Sequence, residues 1–146
     1  MEKWYQKLRR GDVWFVSLSR ETGDNIIGSS VERKSRPYLI ISCEENNRNA
    51  PVVNAIPITT RNSDDYPMHV YYRYENGADS RNQVILCEQI TTLSAVLFEK
   101  PQTHFMYALL PTLMEKVDIA LSSQLGLNRT PVAMKQVEEL INQMAQ

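Results

Sequence analysis

Five apolar runs of strand length follow one another before Thr91, and their succession commits the first part of the chain to β-structure. They are DVWFVSL (12–18), PYLIIS (37–42), PVVNAIPIT (51–59), MHVYYRY (68–74) and QVILCEQI (83–90). Each is bounded by polar or turn-forming residues and carries β-branched or aromatic side chains. The fourth alternates, with Met68, Val70, Tyr72 and Tyr74 on one face and His69, Tyr71 and Arg73 on the other. Asn76-Gly77 follows it as a strong hairpin signal, so the fourth and fifth runs are expected to pair antiparallel. Pro57 removes a ladder donor from the third run and predicts an edge position or a bulge there.

Past Leu93 the pattern changes. A further strand is expected around His104–Leu110, and Pro111 then opens a helix with Thr112 as N-cap and Glu115 completing a capping box. Leu113, Val117, Leu121 and Leu125 supply one apolar face, and Gly126 is placed to terminate the helix. A second helix starts at Thr130-Pro131 and carries a stripe of Val137, Leu140, Ile141 and Met144. An isolated helix of that length is marginal in water. Its stripe is expected to pack on its own barrel, on a second copy of the chain or on a partner segment. The fold class is therefore α+β, mainly β: a small antiparallel barrel or sandwich with C-terminal helices. Residues 1–127 read as one domain, and 128–146 as an extra amphipathic helix belonging to the same compact unit.

Of the 146 residues, 16 are Lys or Arg and 17 Asp or Glu, a formal net charge of −1 that lacks the strongly basic footprint of a general duplex-DNA binder. The charge is unevenly placed: residues 1–61 carry ten basic and seven acidic side chains, and residues 62–146 six and ten. The segment 19–36 (SRETGDNIIGSSVERKSR) is polar, far longer than an ordinary connection, and ends with Arg33, Lys34 and Arg36 together. The N-terminal MEKWYQKLRR lacks the apolar segment of a secretory signal, and runs such as YLII are too short to span a bilayer, so a cytoplasmic location is expected. Cys43 and Cys87 read as reduced, buried thiols; a disulfide between them would need an oxidising compartment.

No Walker loop, GxSxG, HExxH or strand-following GxGxxG is present, and two Cys with two His do not form a zinc framework at this spacing, so neither a metal nor a cofactor is expected. The polar side chains left for chemistry lie at strand ends: Arg36, then Thr59, Thr60 and Arg61, then Glu88 and Gln89. Taken alone, Arg36 reads equally as an exposed loop cation and Thr59 as a strand residue chosen for β-propensity.

In sequence order, Arg10-Gly11-Asp12-Val13-Trp14, Arg36-Pro37-Tyr38-Leu39-Ile40-Ile41, Ile56-Pro57-Ile58-Thr59-Thr60 with Tyr66-Pro67, the stretch Val84 to Leu93, and Val117–Leu127 resemble the MazF/PemK (Kid) family of toxin endoribonucleases. The resemblance covers roughly residues 9–127. It implies a small SH3-like antiparallel β-barrel (CcdB/MazF-like) assembled as a homodimer. It also implies metal-independent cleavage of single-stranded RNA at a short sequence motif, and inhibition by a cognate antitoxin. Operator DNA would be reached only indirectly, through the antitoxin complex, with no role for a membrane. By family position Arg36 and Thr59 are the catalytic pair, with Arg33, Lys34, Thr60, Arg61, Glu88 and Gln89 expected at the substrate.

Two departures stand out. Kid-like members carry an Arg two residues before the acid that Glu88 matches; Leu86 stands there, so Glu88 is expected as a structural acceptor at a strand end or interface. His69 is expected as a solvated or interface residue. The Glu-Gln-Gly-Gly-like stretch that often precedes the catalytic Arg is replaced by Gly28 to Ser35, longer and more basic. The rival functions are a CcdB-like toxin that poisons gyrase without hydrolysis, and a catalytically inert nucleic-acid-binding module. The presence of Arg36 and Thr59 argues against the first.

Overall fold

The computed structural model describes residues 7–18, 35–60, 66–127 and 131–145. Seven strands run antiparallel: β1 (Asp12–Val16), β2 (Arg36–Ile40), β3 (Val52–Thr59), β4 (His69–Asn76), β5 (Asp79–Leu86), β6 (Thr91–Ser94) and β7 (His104–Ala108). A short helix α1 (Glu44–Asn49) joins β2 to β3, and a 3-10 helix (Ala95–Glu99) follows β6. The chain ends in α2 (Pro111–Gln124) and α3 (Pro131–Met144). The strand order is β4-β5-β3-β2-β1-β7, with β6 also paired to β3.

The sheet curls because β3 serves different partners along its length. One edge faces β2 through Ala55, Ile56 and Pro57. The other pairs first with β6, over Val52–Ala55, and then with β5, over Ile58 and Thr59. Pro57 is therefore not on an edge strand and lies buried in the middle of the sheet. The Asn54 carbonyl accepts from Ile41 N–H on the β2 side, so by alternation the Pro57 nitrogen faces the opposite edge. There it falls between the last residue paired to β6 and the first paired to β5, where no ladder bond is missed.

Alternation splits the apolar side chains between two faces. Val13, Leu39, Ile56, Ile58, Val70 and Ile85 meet Val117, Ala120 and Leu121 of α2 on the inner face. Val16, Tyr38, Ile40, Val53 and Ala55 meet Leu8, Leu93 and Phe98 on the outer face. The result is a curled antiparallel half-barrel plugged by α2. Its two end strands touch through side chains: the Tyr72 and Tyr107 hydroxyls are 2.5 Å apart, and the Tyr74 and Tyr107 rings stack at 4.7 Å.

The β4–β5 hairpin forms as expected, but Asn76 pairs with Asp79, leaving Gly77-Ala78 as the loop with Gly77 at φ 60°. The expected capping box at α2 is absent: Leu110 is the N-cap, Pro111 holds the first helical position, and no side chain caps the end. Gly126, at φ 67°, terminates α2 in a Schellman arrangement, with Leu127 N–H bonded to Ser122 O and Gly126 N–H to Ser123 O. Leu140, Ile141 and Met144 of α3 are exposed, so these three do not pack on the barrel of their own chain. Leu125, expected on the buried face of α2, is exposed as well. No helix among the described residues is long and apolar enough to cross a membrane.

Candidate functional site

Arg36 opens β2 and Thr59 closes β3. The β2–β3 register pairs Ile40 with Ala55, Leu39 with Ile56 and Tyr38 with Pro57. Continued by two residues, that register sets Arg36 opposite Thr59, on the sheet face that carries Tyr38 and Pro57. Directly opposed residues of an antiparallel pair have Cβ atoms about 5 Å apart, a separation at which a guanidinium and a hydroxyl can reach the same small group. Arg36 is half-buried and pairs across β1 with Val16; Thr59 is half-buried, and Thr60 beside it is exposed.

The same row continues across the sheet. Thr59 pairs with Val84 of β5, and Val84 with Tyr71 of β4. Tyr71 therefore shares a sheet face with the Arg36–Thr59 pair, as does His69 two residues away. The alternation expected for β4 holds, with Val70 turned to the inner core and Tyr71 outward.

Glu88 and Gln89 sit in the turn that carries the chain from β5 to β6 along the same edge of β3, where Gln89 N–H bonds Leu86 O. Both are half-buried. Glu88 Oε1 lies 2.9 Å from His69 Nε2, which places Glu88 as an acceptor at a strand end. His69 is not solvated: its side chain is 9% exposed, the Tyr66 ring packs edge-on against it at 5.0 Å, and the Tyr71 hydroxyl lies 3.4 Å from Nδ1. Glu88 Oε2 is buried and has no hydrogen-bond partner among the described residues. Arg33, Lys34 and Arg61, expected at the substrate, lie outside the described residues, as does most of the 19–36 segment.

Cys43 and Cys87 are both free, but only Cys87 is buried; Cys43, expected to be buried too, is exposed just before α1. Burial, and secondarily the neighbouring Glu88 carboxylate, push the Cys87 thiol up to about 12. Among the described residues no three His, Cys, Asp or Glu side chains gather into a metal site.

Sequence reasoning missed the His69–Glu88 pair, because only the β4–β5 register brings the two together: His69 pairs with Leu86, two residues before Glu88. It also missed Arg10, whose guanidinium bonds the Ile41 carbonyl and the Asp118 carboxylate, tying the approach to β1 to α2. Neither contact has a local sequence signal.

A mycobacterial endoribonuclease superposes on the fold with a TM-score of 0.57 at 22% identity, covering 85% of this chain and 93% of that one. A mycobacterial endoribonuclease in complex with its cognate antitoxin gives 0.57 at 23% identity, covering 82% and 96%. MazF from Deinococcus radiodurans gives 0.60 at 18% identity over the same shares of the two chains. The model of the PemK-like, MazF-like toxins of type II toxin–antitoxin systems matches residues 9–125. That match takes in every strand, the Arg36–Thr59 pair and all of α2, and the chain belongs to this toxin family.

Proposed function

We propose that the protein is a toxin endoribonuclease that cuts single-stranded RNA, messenger RNA included, at a short sequence motif. The observation that supports this reading is the β2–β3 register, which, continued by two residues past Tyr38 and Pro57, faces Arg36 with Thr59 in a chain of the PemK/MazF toxin family. The 2′-hydroxyl oxygen attacks the adjacent phosphorus, the bond to the 5′-oxygen breaks, and the products are a 2′,3′-cyclic phosphate and a 5′-hydroxyl. The nucleophile belongs to the substrate, so the protein need not activate water. Its tasks are to hold the phosphate, move one proton from the 2′-oxygen and one to the 5′-oxygen, and stabilise charge on the non-bridging oxygens. Arg36 provides a forked, permanently charged donor for those oxygens, and Thr59 adds a neutral hydrogen bond. Because a guanidinium is so hard to deprotonate, Arg36 acts through its field and its hydrogen bonds.

In this reading the working form is a cytoplasmic homodimer held inactive by a cognate antitoxin, with operator DNA reached only through the antitoxin complex. Arg33, Lys34, Thr60, Arg61, Glu88 and Gln89 complete the RNA-contacting surface. Incubation of purified protein with a long single-stranded RNA in EDTA, followed by mapping of new ends, tests it. Discrete cuts with 5′-hydroxyl ends are expected; RNA that is bound and left intact would mean an inert binding module.

A further inference from the structure

Where the outer edge of β4 meets α2, a notch of about 420 Å³ has His69, Val70, Tyr71, Lys116 and Ala120 in its lining. Its character is mixed. Val70 and Ala120 are its buried apolar residues, Tyr71 is 41% exposed, and the exposed Lys116 adds a cationic side chain to the lining. Lys116 has no carboxylate within ion-pair distance among the described residues. His69 meets the Tyr71 ring edge-on at 6.1 Å and is held in turn by Glu88 and by Tyr66, itself 46% exposed. A flat aromatic surface, a fixed imidazole and a nearby cation are what a nucleotide requires: a π-face for the base and a charge for its phosphate.

The place of the notch in the sheet favours the same ligand. Tyr71 closes the row that runs from Arg36 through Thr59 and Val84. It stands two strands from Thr59, about 10 Å across the sheet. A short stretch of extended single strand spans that distance. We propose that this notch is a nucleotide subsite of the enzyme, in which a base flanking the cleaved bond stacks on Tyr71 while Lys116 holds its phosphate. The proposal rests on the endoribonuclease reading above and adds a place on the surface where sequence next to the cut is read.

The probe is a single-stranded oligonucleotide pool of random sequence bearing 2′-O-methyl groups, which lacks the nucleophile and so reports binding alone. Tyr71→Ala should weaken its binding about tenfold, the loss expected for one base stack. Tyr71→Phe should bind like the wild type, since the ring remains. Lys116→Ala should flatten the salt dependence of binding by about 0.7 in the logarithmic slope, the amount for one phosphate on a single strand. On ordinary RNA, Tyr71→Ala should also relax base preference at one position beside the cut. Unchanged affinity and cut pattern in both alanine variants, with wild-type protein that binds and cuts, would overturn the subsite and leave the function standing. Wild-type protein that neither binds nor cuts RNA overturns both. Loss of antitoxin binding in these variants with RNA affinity intact would assign the notch to a protein partner and overturn the subsite.

Discussion

The hydroxyls of Tyr72 on β4 and Tyr107 on β7 share a hydrogen bond of 2.5 Å, joining the two strands that stand at opposite ends of the sheet order. The curl of the sheet is thus closed by a pair of side chains. Tyr74 stacks on Tyr107 beside them, and the Arg81 guanidinium lies 5.8 Å from the Tyr74 ring.

Tyr72→Phe and Tyr107→Phe should each lower unfolding stability by about 1 kcal/mol, the usual net worth of such a bond plus the cost of a stranded hydroxyl. In the double variant neither hydroxyl is left stranded, so its loss should fall well short of the sum of the two. Chemical denaturation of the four proteins measures the coupling, and strict additivity would show that the pair contributes nothing jointly.

The same pair makes stability sensitive to base. Burial raises the Tyr72 hydroxyl above its ordinary range of 10, with the Tyr107 hydrogen bond adding to the rise, and burial raises Tyr107 as well. A group whose folded value is raised keeps its proton in the native state while the unfolded chain loses it. Stability is therefore full below about pH 10 and declines above it, a slope that Tyr72→Phe should reduce. Denaturation midpoints on either side of that pH give the answer.

Arg36→Ala should cut the cleavage rate by about 10²–10³, and Thr59→Ala should remove a large part of it, with thermal melting unchanged in both. Arg36→Lys should restore little, because an ammonium group keeps the charge and loses the fork. Single-turnover cleavage of one mapped site measures all three, and wild-type rates in both alanine variants would separate this pair from the chemistry.

The two thiols should behave as opposites. Cys43 is exposed and should react with a thiol reagent in the native protein, whereas Cys87 is buried and its thiol is raised to about 12. One equivalent should therefore react before unfolding and the second only with it. Mass spectrometry of the labelled native protein identifies which.

Deleting 128–146 should leave the melting temperature of dilute protein nearly unchanged, because Leu140, Ile141 and Met144 are exposed on the single chain. A marked loss at high concentration alone would show that a second copy covers them. Differential scanning at two concentrations separates the cases.

The strands were legible where burial and alternation coincide. β1, β2, β3, β4 and β7 fall within a few residues of their apolar runs. The first half of β5, Asp79–Asn82, is polar and exposed; the hairpin ladder alone makes it a strand, and no apolar pattern announces it. β6 contributes one buried side chain, Leu93, and α1 reads EENNRN, so neither shows a period. Thr112 lost its place as a cap because Pro111, with its preset φ, takes the first helical position and moves the cap two residues earlier, to Leu110. The candidate pair was named from motif order, but its opposition across β2 and β3 is a matter of register, which no local pattern encodes.

Pro57 gives that register a mechanical stop. A one-residue slide of β3 along β2 would carry Thr59 to the far face and push the proline against a neighbour that asks for a donor it does not have. The observed alignment leaves the missing N–H idle, in the interval between β6 and β5, and a one-residue slide turns it toward β2. The proline thus works like an indexing pin: it adds no bond to the sheet, yet it penalises the one-residue slips that would put Arg36 and Thr59 on opposite faces.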